Sequence, residues 1–333
     1  MNRPRAPAGS IHALQPRMAP QGSTWTSRAP AFINSAAGSA DDVAAALDAT
    51  GRFEVRPVIP ARLASEVTAA LRAGAPRVLV AGGDGTITTA ASVLVGTPME
   101  LAIIPGGTLN HFAKDFGIPL DPAAALETAL GDAVRTVDVG FVNGRLFLNT
   151  SSVGAYVVFV RVRERLERRL GYLLASVAAF LRVFLSMRTL RVQLEIEGQR
   201  LTYRTPLVFI GIGERELRVP MLGGRVPDGR RGLHVIVPRA RTRYRLAVLA
   251  LTALLRGVRA VADSLHCDSF IVERCRVEMR RPRGNVAIDG EIVPMIAPLE
   301  YRIEPDALRV VVPEPRAAAE PPHDGAGHPT SPS

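Results

Sequence analysis

Between residue 31 and about residue 134, apolar positions fall into strand-like runs that alternate with segments of helical period. Strands are predicted at Ala31–Asn34, Phe53–Ile59, Arg77–Ala81 and Leu101–Ile104. Helices are predicted at Asp41–Ala49, at Arg62–Ala73 closed by Gly74, and at Thr86–Val95. A further one has Asp121 as cap, Pro122 at its first position and Gly131 after its last. Strand and helix in alternation argue a parallel sheet with helices on both faces.

The pattern then changes. Asn143-Gly144 between apolar runs is a strong hairpin signal. A helical stretch is predicted over about Arg161–Met187, then strands at Leu190–Glu197 and Leu201–Ile212. Another helix is predicted near Arg243–Val261, and short strands run on to Val312. The fold class expected is α/β, with a parallel-sheet domain over residues 31–136 and a β-rich, sandwich-like domain over 137–313. The flanking segments 1–30 and 314–333, rich in proline and small residues, read as disordered tails.

Composition adds little. The net charge of +10 favours an anionic partner, but nearly all the cations are arginine (Lys114 is the sole lysine). That bias, with the alanine, glycine and proline load, reads as genomic drift. Neither a zinc finger nor an RNP motif is present, so no nucleic acid is expected. Cys267 and Cys275 are too few for a disulfide framework or zinc site. The N-terminus has no apolar secretory core. The most apolar stretch, Gly171–Met187, is short and interrupted by Arg182, while a span needs about 20 apolar residues. A soluble or peripheral protein is expected.

Two loops carry candidate chemistry. Gly82-Gly83-Asp84-Gly85-Thr86 sits between a buried strand and a helix start. Glycines permit positive φ and close ligand approach, and a helix N-terminus suits phosphate. A plain turn with Asp84 as cap is the simpler reading, but an acid there would repel phosphate unless a cation intervened, so Asp84 is a candidate Mg²⁺ holder. The loop is neither a Walker A nor a GxGxxG fingerprint. Pro105-Gly106-Gly107-Thr108-Leu109-Asn110 follows the next strand, so both loops should face one crevice beyond the strands' carboxyl ends.

GGDGT followed by PGGTLNHFAKDFGIP resembles the diacylglycerol kinase catalytic-domain family, which includes sphingosine-type lipid kinases and is more distantly related to NAD kinases. VDVGFVNGRLFLNTSSVGAY (137–156), the arginine-rich segment ending in RRLGY, and NVAIDGEIV (285–293) extend the resemblance over about Phe32 to Pro313. It implies ATP as co-substrate and Mg²⁺, and nucleotide contacts from Gly82, Gly83, Asp84, Gly85, Thr86, Gly107, Thr108 and Asn110. Asn34 and Gly38 match the ends of a further phosphate loop. Asp289 would be the general base, with Glu291 beside it; from the residues alone, Asp289-Gly290 reads as a β-turn. The expected reaction phosphorylates a lipid hydroxyl, by default that of diacylglycerol, at the inner membrane face. The partners implied are a membrane lipid and an anionic membrane surface; Arg161–Arg169 reads either as the segment that touches that surface or as a charged helix face, and a homodimer is left open.

Two departures stand out. Asn34-Ser35-Ala36-Ala37-Gly38 lacks the family's usual proline and serine. Where the family has an Asp-Asp-Gly-Leu segment holding a structural Mg²⁺, this chain reads PDGRRGLHV over 227–235. Either Asp228 is that ligand, or arginines have replaced the acids. NAD phosphorylation and a non-catalytic lipid- or nucleotide-binding role are the competing functions.

Overall fold

A computed structural model describes residues 28–35, 40–154, 157, 190–196, 198–216, 224–226, 228–238 and 267–314. The predicted helices at Arg161–Met187 and Arg243–Val261, Gly38, and the tails apart from residues 28–30 and 314 lie outside these; Ala29 and Pro30, expected in the N-terminal tail, belong instead to the first strand.

The α/β half is built from β1 (Ala29–Asn34), α1 (Ala40–Ala49), β2 (Phe53–Val58), α2 (Pro60–Arg72), β3 (Arg77–Gly82), α3 (Asp84–Leu94) and β4 (Glu100–Pro105). The short α4 (His111–Asp115) and α5 (Pro122–Leu130) follow. Each predicted element is present, with ends moved by one or two residues. Pro60, whose fixed φ suits a first turn, opens α2 earlier than expected. Asp121 caps α5 by accepting from the Ala124 amide at 2.9 Å. β2, β1, β3 and β4 lie side by side in parallel. β3 shows why its run is continuously apolar: Val78 and Val80 enter one core, and Leu79 and Ala81 enter another on the opposite face.

The second half begins with β5 (Val134–Val142) and β6 (Arg145–Phe147), joined at Asn143-Gly144 with both residues at positive φ, as this hairpin turn requires. Next come β7 (Thr150–Gly154), β8 (Leu190–Ile196), β9 (Gln199–Thr205), β10 (Leu207–Ile212) and β11 (Leu233–Pro238). The chain closes with β12 (Cys267–Val272), β13 (Arg274–Met279), β14 (Arg283–Ile288), β15 (Glu291–Ile296) and β16 (Leu299–Val311).

The single strand expected over Leu201–Ile212 is two. β9 pairs with β8 in one sheet, and β10 pairs with β7 and β11 in the other. Pro206, lacking an N–H, falls at the switch, and the Thr205 hydroxyl secures it through the Leu207 and Pro238 carbonyls.

β16 carries the parallel sheet into the β-rich half. It runs parallel to β4 and antiparallel to β5 and β13, and β13 leads on to β8 and β9. The other sheet, β12-β11-β10-β7-β14-β15, is antiparallel throughout. Val192 and Leu194 of the first sheet share a core with Val208, Ile210 and Val235 of the second, which makes this half a sandwich. Among the described residues, no helix is long and apolar enough to cross a membrane.

Candidate active site

The two glycine loops meet at the carboxyl ends of β3 and β4, where open α/β sheets bind ligands. Backbone packs on backbone. The Gly106 amide donates to the Gly82 carbonyl at 2.9 Å. A Cβ placed on Gly107 would lie 2.7 Å from Gly83 Cα, and one on Gly83 would lie 3.2 Å from Gly107 Cα. Gly82, Gly83, Gly85, Gly106 and Gly107 all keep ordinary φ. The expectation that these glycines supply positive φ is therefore corrected: close approach is what they provide. At Gly82 the room is taken by Thr86, whose Oγ1 would lie 2.7 Å from an added Cβ.

Asp84 is not the cap of its own helix. The N-cap of α3 is Gly83, and the Asp84 carboxylate instead accepts the His111 and Phe112 amides, each at 3.2 Å, at the start of α4. One acid thus binds the two loops together and leaves part of its oxygen surface for a cation. Asn110 sits at φ 48° and spends its side chain on Gly107, accepting from that amide at 2.9 Å and donating to that carbonyl at 2.7 Å. Its amide shapes the loop from within. Thr108 is exposed at the loop tip, and Asn34, at the end of β1, donates to Thr86 Oγ1 at 3.4 Å. A crevice lined by Ile33, Ala40, Val43, Gly82, Pro105 and Gly106 opens beside them.

Asp289, some two hundred residues further on, comes to the same place. It lies in the tight turn between β14 and β15 at φ 46°. Its carboxylate accepts the amides of Leu148, Asn149 and Thr150 at 2.7, 2.8 and 3.0 Å, and Thr88 of α3 donates to it at 3.4 Å. Withdrawal from water pushes its pKa up to about 6; the three amides oppose that shift and the charge of Asp84 adds to it. Glu291 is the more open of the two acids. It pairs with Arg145 at 3.3 Å, and its Oε1 lies 3.0 Å from where a Gly85 Cβ would be. Asp84, Glu291 and Asp289 therefore surround the start of α3.

Asp228, the residue expected to hold a structural metal, stands apart from the other acids of the site. It is exposed at φ 56°, and no group of three or more His, Cys, Asp or Glu among the described residues is placed to hold a metal. The neighbouring Arg231 instead binds two acids, Asp138 side-on through Nε and Nη2 and Asp306 at 2.9 Å. Lys114 is exposed, and Ser151 is buried against the Tyr301 hydroxyl at 3.0 Å, an ordinary core contact.

Sequence reasoning missed Arg215. Its side chain is almost wholly buried and joins Asp115, at the end of α4, at 2.7 Å. It also donates to the carbonyls of Ile212 at 2.9 Å and of Asn149 at 3.3 Å, while its own amide donates to Nδ1 of the buried His234. Burial lowers the His234 pKa, which suits a neutral ring that accepts there and donates from Nε2 to Ser269 at 2.6 Å. No local motif marks Arg215, because its partners come from four separate segments.

A parallel-sheet half with paired glycine loops, closed by acids from a β-sandwich half, is an architecture suited to phosphoryl transfer. Residues 29–142 match the diacylglycerol kinase catalytic domain. A Pseudomonas fluorescens Pf-5 protein described as "Probable lipid kinase YegS-like" is 32% identical over 263 residues, 74% of this chain and 81% of the relative. Its Pseudomonas aeruginosa UCBPP-PA14 counterpart is 34% identical over 267 residues, 74% and 80% of the two chains. A Bacillus anthracis Sterne diacylglycerol kinase structure superposes with a TM-score of 0.62 at 18% identity, covering 88% of this chain and 99% of that one, and shows the shared fold. The chain belongs to the YegS-like lipid kinase family, with its diacylglycerol kinase catalytic domain.

Proposed function

We propose that this kinase transfers the terminal phosphoryl group of ATP to a hydroxyl of a membrane lipid at the inner membrane face, with diacylglycerol as the acceptor and phosphatidic acid as the product. The observation that carries this reading is the meeting of Asp289 with the GGDGT helix, where Thr88 donates to it and Asp84 raises its pKa. A carboxyl with a pKa of about 6 is largely ionised at neutral pH yet remains basic enough to take a proton from the attacking hydroxyl. The exposed Thr108 and the amides at the start of α3 face the phosphates, and the close-packed glycines leave room for them.

Asp84 and Glu291, whose carboxylates lie at the first turn of α3, are the residues that would hold Mg²⁺; their donor chemistry suits it, since such sites use one or two carboxylates plus substrate phosphates. When bound, the ion neutralises charge that develops on the phosphate oxygens. The amides of Leu148, Asn149 and Thr150 orient Asp289 from behind.

The test is transfer of label from ATP, with Mg²⁺, to detergent micelles that each carry one candidate lipid, with NAD as a soluble comparison. Label in phosphatidic acid that disappears in Asp289→Asn supports the reading. Label in NAD, or none in any lipid, counts against it.

A further inference from the structure

Phe116 closes α4, and two guanidinium groups lie against its ring, Arg225 at 5.1 Å and Arg135 at 5.9 Å from the centroid. Cation–π contact draws an arginine to a ring but does not neutralise its charge. Arg225 sits directly across a short two-stranded bridge from Arg215, held by Val226 N to Glu214 O at 2.9 Å and Glu216 N to Gly224 O at 2.8 Å. A half-buried cation is thus fixed beside a second cation.

The nearby acids are already engaged. Asp115 is bound to Arg215, Asp138 to Arg231, and Glu214 to Arg230. Arg225 and Arg135 have no acidic partner among the described residues. Burial and the charge of Arg215 lower the pKa of Arg225. Desolvating a charge without a counter-ion is costly, and the cost disappears once an anion is bound. The position is suggestive too: α4 is five residues long and Asp84 holds its other end, so Phe116 lies on the order of 8 Å along the helix from the glycine loops.

We propose that Arg225 and Arg135, arranged around Phe116, form a subsite for a phosphate-type anion, and that the anion is the headgroup phosphate of a membrane phospholipid. Guanidinium donors match phosphate oxygens in pairs, and the ring keeps Arg225 in place for them. The choice of a lipid phosphate rests on the lipid-kinase reading, whereas the anion subsite does not.

The full-length protein, without ATP, is titrated with vesicles of phosphatidylglycerol in phosphatidylcholine, with pure phosphatidylcholine vesicles, and with inorganic phosphate. The double variant Arg135→Ala/Arg225→Ala should bind the anionic vesicles at least tenfold more weakly. Arg62→Ala, which removes an exposed arginine on α2, should stay within twofold. If vesicle binding is unchanged while phosphate binding is lost, the subsite holds but its source is a soluble phosphate, and the headgroup assignment falls. If neither changes, the proposal is wrong. Should the double variant fold poorly, Arg135→Glu decides alone, since that residue is exposed: unchanged binding of both ligands overturns the proposal. Binding is read without turnover, so an inactive kinase would leave the result intact.

Discussion

At Asp289, desolvation and hydrogen bonding pull in opposite directions. Three amides would hold an exposed carboxylate below its usual range, but withdrawal from water prevails and the pKa rises to about 6. If Asp289 is the base, kcat/KM should climb with pH through about 6 and level off above it, a limb that Asp289→Asn should erase with a rate loss of roughly a hundredfold or more. Stability moves the other way. A carboxyl whose folded pKa is raised favours the fold below its unfolded value, and that contribution is lost as pH rises through about 6. Denaturant midpoints measured across pH 4–7 should show the decline in the native protein and a flatter profile in Asp289→Asn. At Gly107 the obstacle is steric. A methyl group 2.7 Å from Gly83 Cα meets backbone, which cannot step aside as a side-chain tip could. Gly107→Ala should cost about 1–3 kcal/mol and weaken ATP binding by separating the loops, as a thermal melt and a nucleotide titration would reveal.

At the scale of elements, β3 has different tasks at its two ends. Gly82 ends it at the site, while Arg77 begins it in the core, only 1% exposed. Arg77 binds Glu100 of β4 at 2.8 Å and the Ala129 and Gly131 carbonyls at the end of α5, and Arg309 of β16 takes the other Glu100 oxygen at 3.0 Å. Arg309 would still pair with Glu100, but removing Arg77 leaves one buried Glu100 oxygen and the Ala129 and Gly131 carbonyls without their donor, so Arg77→Ala should cost about 3 kcal/mol. With roughly 17 Å of strand separating the ends, the KM for ATP of the folded fraction should stay unchanged, a split that a loop mutation would not produce. Arg77 reads in the sequence only as a strand residue, whereas the glycine loops of the same strands are plainly visible. The difference is one of distance along the chain. Strands, helices and loops are encoded by contiguous residues, and so were readable. The amide partners of Asp289 lie about 140 residues away and Thr88 about 200, those of Arg215 in four segments, and the crossing at Pro206 depends on which strand waits on either side. None of these leaves a local pattern.

Across the whole molecule, the two halves are joined by more than a continuous sheet. Arg215 connects the end of α4 to the Asn149 carbonyl, and the amide of that same Asn149 holds Asp289. Arg231, just before β11, bridges Asp138 on β5 and Asp306 at the irregularity in β16. Two carboxylates gathered from separate strands are a common way to seat a divalent cation, but here a guanidinium satisfies them. Asp138 is nearly fully buried and uses both oxygens on Arg231, with the Asp306 amide donating to it at 3.0 Å. Those hydrogen bonds hold the Arg231 pKa well above its ordinary value, so the guanidinium keeps its charge at any working pH. Arg231 of PDGRRGLHV thus supplies the counter-charge to both carboxylates itself. Chelator added without nucleotide should leave the melting temperature of the native protein where it was. Arg231→Ala should lower stability by about 3 kcal/mol by stranding Asp138, and the variant, now holding two uncompensated acids, should regain part of the loss when Mg²⁺ or Ca²⁺ is added. A native protein that melts earlier in chelator would show that a metal contributes to its stability and that the guanidinium bridge is not sufficient.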